Sequence, residues 1–315
     1  MFLQLLGRVL TSSDLWGATL QFAALLLLPA LGGVISERSG VTNIAMEGMM
    51  LTGAYAGVMT AKASGSVVIG VIGAIIAGML MALIHAVVSI NFKANQIVSG
   101  IAINIAALGL TNYLLFIQTS NQGVPSLGNN LRLPNIALGP LSNIPFIGPV
   151  LFQQNIIFYV AVLILIGVQF LLFHTNIGLR IRAVGEHPQA ADTAGVNVRL
   201  VRYLCVLSSG ALSGLAGAFL SLGIAGIFNP NMTAGAGFIA LAAMIFGKYI
   251  PWGAGVACLI FGLGEALSPR LQGTGVSASL LSTIPYILTL VALVGLVGRT
   301  TPPAADGIPY EPGSE

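Results

Sequence analysis

The side chains able to do chemistry are few and far apart. Nine Asp and Glu, twelve Lys and Arg and three His occur in 315 residues. Glu47 and Glu265 are the acids that fall inside apolar stretches, where a carboxyl group is costly and tends to line a cavity or pair with a neighbour. Asn43 and Glu47 are four residues apart and share one helical face. That face offers amide and acceptor groups to a neutral, polyhydroxylated ligand; its plainer use is a structural bond to the backbone of a neighbouring helix. Glu265, beside Gly262 and Gly264, is open to both readings. Gln96, Ser99 and Asn104 form a polar stripe on an otherwise apolar segment, read either as pathway lining or as interhelical bonding. Phe228 and Asn229 stand at a break before Pro230, where unwound backbone must line a cavity or be buried in protein. The ring can stack on a nucleobase or simply pack the break.

Other chemistries lack their residues. His85, His174 and His187 are too dispersed for a metal site, and His85, alone in an apolar run, is expected to be hydrogen-bonded in place. Cys205 and Cys258 lie in apolar runs without a CxxC, so a disulfide is disfavoured. A phosphate-binding Gly-x-x-x-x-Gly-Lys-[Ser/Thr] loop is absent: Gly247-Lys248-Tyr249 lacks both the first glycine and the hydroxyl. With no nucleophile constellation or paired carboxylates, an enzyme is not expected, nor a cofactor in this chain.

The elements that position these residues are membrane helices. Hydrophobic residues make up 56% and charged residues 7% of the chain, against roughly 25% charged in a soluble domain. At about 20 residues per crossing, the composition supports an all-α integral membrane bundle of about nine helices. Charges and turn residues punctuate spans at 15–35, 41–61, 66–90, 96–117, 155–173, 203–226, 233–249, 252–268 and 280–298. The second and seventh are interrupted and expected as half-helices. Residues 118–154 hold five Pro and the single charge Arg132, and read as a long loop with a short interfacial helix. Residues 1–298 form one transmembrane domain; the Pro-rich 299–315 reads as a disordered tail.

Lys and Arg set the orientation. With the N-terminus outside, the inner segments hold Arg38, Lys93, Arg180, Arg182, Arg199, Arg202, Lys248 and Arg299, and the outer ones Arg8, Lys62, Arg132 and Arg270. The positive-inside rule then favours a cytoplasmic C-terminus. The net charge of +3 comes without a basic cluster and does not point to nucleic acid. Segment 174–202 is too polar for lipid. Its stretch Pro188 to Gly195 carries the start and stop signals of a two-turn helix, and such a helix outside the membrane reads as a docking element. The breaks Gly40-Val41-Thr42-Asn43 and Gly226-Ile227-Phe228-Asn229-Pro230 face opposite sides under this topology, as an inverted transporter repeat requires.

Four stretches resemble the permease subunits of bacterial ABC importers of the branched-chain amino acid, ribose and nucleoside type. They are Gly33 to Gly57 with Glu37-Arg38-Ser39-Gly40-Val41-Thr42-Asn43 at its centre, Asn95 to Asn104, Gly178 to Asn197, and Asp306-Gly307-Ile308-Pro309-Tyr310. The resemblance implies a cytoplasmic Glu-Ala-Ala-x-x-x-Gly loop that docks on an ATPase. The matching positions are Gln189, Ala190, Ala191 and Gly195, with Gln in place of Glu. Arg180, Arg182 and Glu186 can make polar contacts around that seat. It further implies ATPase subunits that bind ATP and Mg, a second homologous permease, an extracytoplasmic binding lipoprotein, and a place in the bacterial plasma membrane. Nucleosides lead as substrate, with simple sugars or branched-chain amino acids next. An ion-coupled carrier is the rival outside that class, but it would show more intramembrane acids.

Overall fold

The computed structural model describes residues 7–119, 127–128, 131–271, 277, 280, 283, 287 and 300–311. The helices are α1 (Ser13–Glu37), α2 (Met46–Ser64), α3 (Val67–Ala86), α4 (Gln96–Thr119), α5 (Ile156–His174), α6 (Asn176–Glu186), α7 (Pro188–Thr193), α8 (Val198–Ala218), α9 (Ala236–Phe246) and α10 (Pro251–Arg270). Among the described residues, six helices are long and apolar enough to cross a membrane, counting α3 and α8 with their wide-turn extensions. The protein is a multi-pass helical membrane protein. The span expected at 280–298 lies outside the described residues.

The central helix is α1, which starts where the Ser12 hydroxyl accepts from the Leu15 amide at 3.3 Å, an ordinary N-terminal cap. It is apolar all round, the signature of a helix surrounded by others. Its second half, Ala23 to Glu37, is continuously buried, against α5, α8, α9 and α10. By contrast, α3 and α4 carry Ile72, Ile76, Leu80, Ile101, Ile105 and Phe116 exposed, as lipid-facing helices do. Small residues bring α2, α3 and α8 together. A methyl group on Gly53 would stand 2.6 Å from the Gly214 Cα, and one on Gly78 would stand 2.8 Å from the same atom. Close backbone approach replaces hydrophobic drive, which is missing between helices in lipid.

Two helices end in wide turns. The last turns of α3 (Val87–Asn91) and α8 (Phe219–Ala225) have i→i+5 geometry. The second wide turn receives the 118–154 loop: the Leu133 amide donates to the Leu222 carbonyl and the Leu127 amide to the Gly226 carbonyl, both at 3.0 Å. That loop has short helical turns at Gly139–Asn143 and Gly148–Phe152, where a short interfacial helix was expected, and a ribbon that was not expected. It holds an antiparallel ribbon, β1 (Asn135–Ala137) with β2 (Gln153–Asn155), around a 3-10 turn at Gly139–Asn143. Five prolines prevent a continuous helix here, and three-residue strands leave no periodicity to read.

The seventh expected span is a half-helix. The helix α9 has 11 residues. At about 1.5 Å of rise per residue it is about 16 Å long, roughly half of a hydrocarbon core of about 30 Å. The second expected span is not a half-helix: α2 runs 19 residues once the chain leaves the break at 38–45. Residues 300–311 differ from the disorder expected of a Pro-rich tail. Ala305 and Tyr310 are buried and the Ala305 amide donates to the Gly185 carbonyl at 2.8 Å, so the segment is folded back on the bundle.

The charges sort to two ends. At one end Arg38 donates to the Tyr249 carbonyl, the Arg38 and Arg182 guanidinium groups lie over the Phe173 ring, and Lys93 pairs with Glu311. At the other, Arg270 donates to the Asp14 carbonyl, and Arg132 lies against Gly226.

Candidate functional site

The residues expected to line a pathway converge on the two helix breaks, and most of their polar atoms are already engaged. Asn43 is fully buried. Its Nδ2 donates to the Ser209 hydroxyl at 2.8 Å, while its Oδ1 accepts from the Ala45 amide at 3.1 Å. Gln96 Oε1 accepts from the Thr42 amide at 2.7 Å, and its Nε2 is buried without a partner among the described residues. Ser99 Oγ lies 3.0 Å from His85 Nδ1, and His85 Nε2 lies 3.0 Å from the Thr42 carbonyl. A carbonyl can only accept, so Nε2 carries the proton and Nδ1 accepts from Ser99. His85 is held in place, as its isolation implied. Asn104 closes the staple: Oδ1 accepts from the Gly48 amide at 2.8 Å and Nδ2 donates to the Ile44 carbonyl at 3.0 Å. The polar stripe of α4 therefore supplies hydrogen bonds to backbone that leaves helical geometry between α1 and α2.

Glu47 joins the two breaks. Its Oε1 accepts from the Thr233 hydroxyl at 2.6 Å and the Gly235 amide at 2.9 Å, and Oε2 accepts from the Gly237 amide at 2.6 Å. Those amides open α9, whose first N–H groups have no partner within the helix. A carboxyl group there satisfies the orphan donors and sits at the positive end of the helix dipole. The group that caps α9 thus comes from the first turn of α2, far earlier in the chain. Phe228 is fully buried with its ring edge-on to Tyr55, centroids 5.3 Å apart, so it packs the second break. Asn229 is exposed, and its carbonyl accepts from the Met232 amide.

Glu265 stands apart from this network. It faces a cavity of about 130 Å³ with Phe22, Leu26, Met232, Thr233 and Ala236. Ligand pockets usually run to roughly 300–1,000 Å³, so this space is too small to hold a nucleoside-sized solute in the present conformation.

The charge-dense end carries the second constellation. Thr175 caps α6 through the Gly178 amide. The helix α7 opens at Pro188 and its connection stops at Gly195, whose φ of +83° is a left-handed value suited to glycine. Gln189, Ala190 and Gly195 are exposed, while Ala191 is buried against Val184, Val198 and Tyr310. Arg180 is exposed, Arg182 lies over Phe173, and Glu186 accepts from the Ala304 amide at 3.2 Å. Beside α7 a cleft of about 350 Å³ is lined by Asp192, Gly195, Asn197, Arg199 and Tyr310. Burial holds the pKa of the Arg38 guanidinium below its ordinary value and pushes the Tyr249 hydroxyl up to about 12.

Residues missed in the sequence complete this end. Arg202, almost wholly buried, donates to the Ser39 carbonyl at 3.2 Å and the Ile308 carbonyl at 3.0 Å. Asp306 accepts from the Thr42 hydroxyl at 3.0 Å and shares a hydrogen bond with Glu37, and burial raises its carboxyl to about 6. The signal was the tail motif Asp306 to Tyr310, which the resemblance marked without a role. Cys205 and Cys258 are buried free thiols, and no metal-ligand cluster occurs among the described residues.

The family described as branched-chain amino acid transport system / permease component matches residues 17–293. The Guanosine ABC transporter permease protein NupQ of Bacillus subtilis is 41% identical, over 93% of this chain and 95% of its own length. The Nucleoside ABC transporter permease protein NupC of Lactococcus lactis is 39% identical, over 90% and 92%. A second B. subtilis protein, the Guanosine ABC transporter permease protein NupP, is 28% identical over 87% and 79%. Facing helix breaks, a half-helix capped from across the bundle and a match over most of the length agree: this chain belongs to the branched-chain amino acid transport system permease family.

Proposed function

We propose that this chain is a membrane-spanning subunit of an ATP-driven importer, and that the solute is a nucleoside. The observation that carries this reading is α7: an exposed two-turn helix at the charge-dense end, closed by a left-handed glycine, with an open cleft beside it. A phosphate-binding loop is absent from the sequence, so the energy must enter through contact with another subunit. In this reading α7 seats on an ATPase that binds ATP and Mg; Gln189, Ala190 and Gly195 face it, and Ala191 anchors the helix to the bundle. Arg180, Arg182 and Glu186 flank the seat. The charge-dense end is cytoplasmic, which puts the N-terminus outside, the 118–154 loop toward an extracytoplasmic binding lipoprotein, and the chain in a bacterial plasma membrane.

Two B. subtilis relatives with guanosine permease names, at 41% and 28% identity, support pairing with a second, non-identical permease. The names of NupQ and NupC support a nucleoside over a sugar or an amino acid. Solute passes where α2 and α9 begin, and the capped breaks (Asn43, Glu47, Gln96, Ser99, Asn104, Phe228, Asn229) shape that passage chiefly by holding its backbone. Glu265 is the intramembrane acid that faces free space.

The test is uptake of radiolabelled guanosine, ribose and leucine by the reconstituted complex, with and without Gly195→Val. Gly195 has a φ of +83°. A β-branched residue held in left-handed geometry is strained by about 1–2 kcal/mol, which distorts the stop of α7. Guanosine uptake driven by ATP, lost in Gly195→Val together with retention of the ATPase, is the expected result. Uphill uptake by the purified permease alone on an ion gradient would overturn the reading.

A further inference from the structure

The tail does more than cover the charge-dense end. Its bonds run to two places that α8 also touches, through Val198 beside Ala191 and Arg202 on Ser39, and the tail adds a second, polar link between them. Toward α7, Tyr310 is buried with Ala191, Val184 and Val198, and its hydroxyl bonds to the Asp192 carboxyl. The backbone of Ala304 and Ala305 is held by Glu186 and Gly185 at the end of α6. Toward the first break, Asp306 holds Thr42 and Glu37, and Arg202 bridges the Ile308 carbonyl to the Ser39 carbonyl. Lys93 pins the far end through Glu311 at 2.7 Å.

Those contacts are of the kind that transmit displacement. Arg202 and Glu37 are almost completely buried, and Asp306 is half-buried. Most of the network's buried polar atoms are bonded, Arg202 Nη2 and Gln96 Nε2 being without a partner among the described residues, and each bond resists breaking because a buried group left unpaired is costly. From Thr42 and Asn43 the bonds continue inward: Thr42 to Gln96 and His85, Glu37 Oε1 to the Asn43 amide at 3.4 Å, and Asn104 to Ile44 and Gly48. Glu47 then takes the path to the first turn of α9.

We infer that residues 304–311 are a strap that joins the docking helix α7 to the first helix break, and that Asp306 and Tyr310 are positioning residues for energy coupling. The inference rests on the reading of α7 as the ATPase seat. A strap of this kind makes α7, the end of α6 and residues 39–43 move as one body. A push on α7 then reaches the break directly, rather than being absorbed by the short connection at 194–197. Adjacency alone does not establish coupling; a change in transmitted work does.

The experiment uses the full complex with its ATPase, partner permease and binding protein in proteoliposomes. It measures guanosine moved per ATP hydrolysed together with ATPase retained on purification. Tyr310→Ala and Asp306→Ala should keep the ATPase bound and lower guanosine moved per ATP by at least about fivefold, the low end of ordinary coupling between sites. Asp306→Asn keeps an acceptor oxygen for Thr42 and offers Glu37 an amide donor in place of an acceptor, a pairing that a Glu37 carboxyl oxygen can still accept, so it should stay within about twofold of the parent. An unchanged ratio in Tyr310→Ala overturns the inference. So does a loss of transport that follows only the amount of folded protein, since a merely structural tail would leave the ratio alone. Should Asp306→Ala fail to fold, Tyr310→Ala decides, because that side chain touches the surface of α7 and α8 and not the bundle interior. Gly195→Val separates the two readings. If it keeps both ATPase and transport, the α7 seat is wrong; if it loses them while the Tyr310→Ala ratio is normal, only the strap is wrong.

Discussion

Removing the Glu47 carboxyl group should open the start of α9. Glu47→Ala deprives the Thr233 hydroxyl, the Gly235 amide and the Gly237 amide of their acceptor. A hydrogen bond to a charged group contributes about 1.5–3 kcal/mol, so the three together set an upper bound of about 9 kcal/mol. Gly235 is only half-buried, however, so water can replace its partner. About 4 kcal/mol is the working value, from the two buried donors left without an acceptor at about 1–3 kcal/mol each. At about 1.4 kcal/mol per tenfold, local opening of the 233–240 segment should become several hundred times more frequent. Hydrogen–deuterium exchange in nanodiscs, read on a peptide covering that segment, measures it. The N-terminal half of α5, which shares no hydrogen bond with Glu47, serves as the reference. Glu47→Gln should lie between, since one oxygen is kept and the other becomes a donor facing an N–H group. Exchange in Glu47→Ala within tenfold of the parent would refute the argument that this carboxyl group is the cap of α9.

Three further outcomes are expected. Gly78→Ala drives a methyl group into the Gly210 carbonyl and to 2.8 Å from the Gly214 Cα. Overpacking of that kind should cost about 2 kcal/mol or more. Gly109→Ala meets nothing within 4 Å and should be neutral or slightly stabilising; the melting temperature of the purified permease compares the pair. Asn104→Leu leaves the Gly48 amide and the Ile44 carbonyl without their partner, so the maximal uptake rate should fall at an unchanged half-saturation concentration. A shift in half-saturation instead would put Asn104 in contact with the solute. Asp306, whose neighbours include Glu37, Arg202, Thr42, Tyr249 and Tyr310, is raised by burial from 3.8 to about 6. The docked tail therefore binds the proton more tightly than the free tail, and its docking weakens as pH rises through 6. Between pH 5 and pH 7 the loss is about 1 kcal/mol. Glu311, lowered by Lys93, acts in the opposite direction but titrates below that window. Exchange at residues 304–311, corrected for intrinsic rates, should be several-fold faster at pH 7; equal protection would show that Asp306 does not govern docking.

Local signals were legible in the sequence and long-range pairings were not. The helix α7 could be placed because Pro188 and Gly195 fix its ends by their own backbone preferences. The half-helix α9 could be placed because Gly and Pro interrupt an apolar run. Glu47 had two readings in the sequence, and the structure shows the bond to a neighbouring helix's backbone. Its partner could not be named, since nothing near Glu47 encodes Thr233 or Gly237. The same limit explains the tail. Proline and polar residues at 302–311 read as disorder, and their order depends on Glu37, Arg202 and Gly185, which are remote in the chain. The β1–β2 ribbon was missed because its strands are shorter than any readable alternation.

The wide turn at Phe219–Ala225 restricts which mutations this chain can accept. Its i→i+5 geometry leaves the Leu222 carbonyl to receive the Leu133 amide, while the Gly226 carbonyl receives the Leu127 amide. Losing one residue from 219–225 would restore ordinary i→i+4 winding, rotate everything downstream by about 100° and leave those loop amides unlatched. Substitutions there can be absorbed one side chain at a time, but a single-codon deletion would strike the loop and the second break together, so a change of length in this stretch should be tolerated less well than a change of residue.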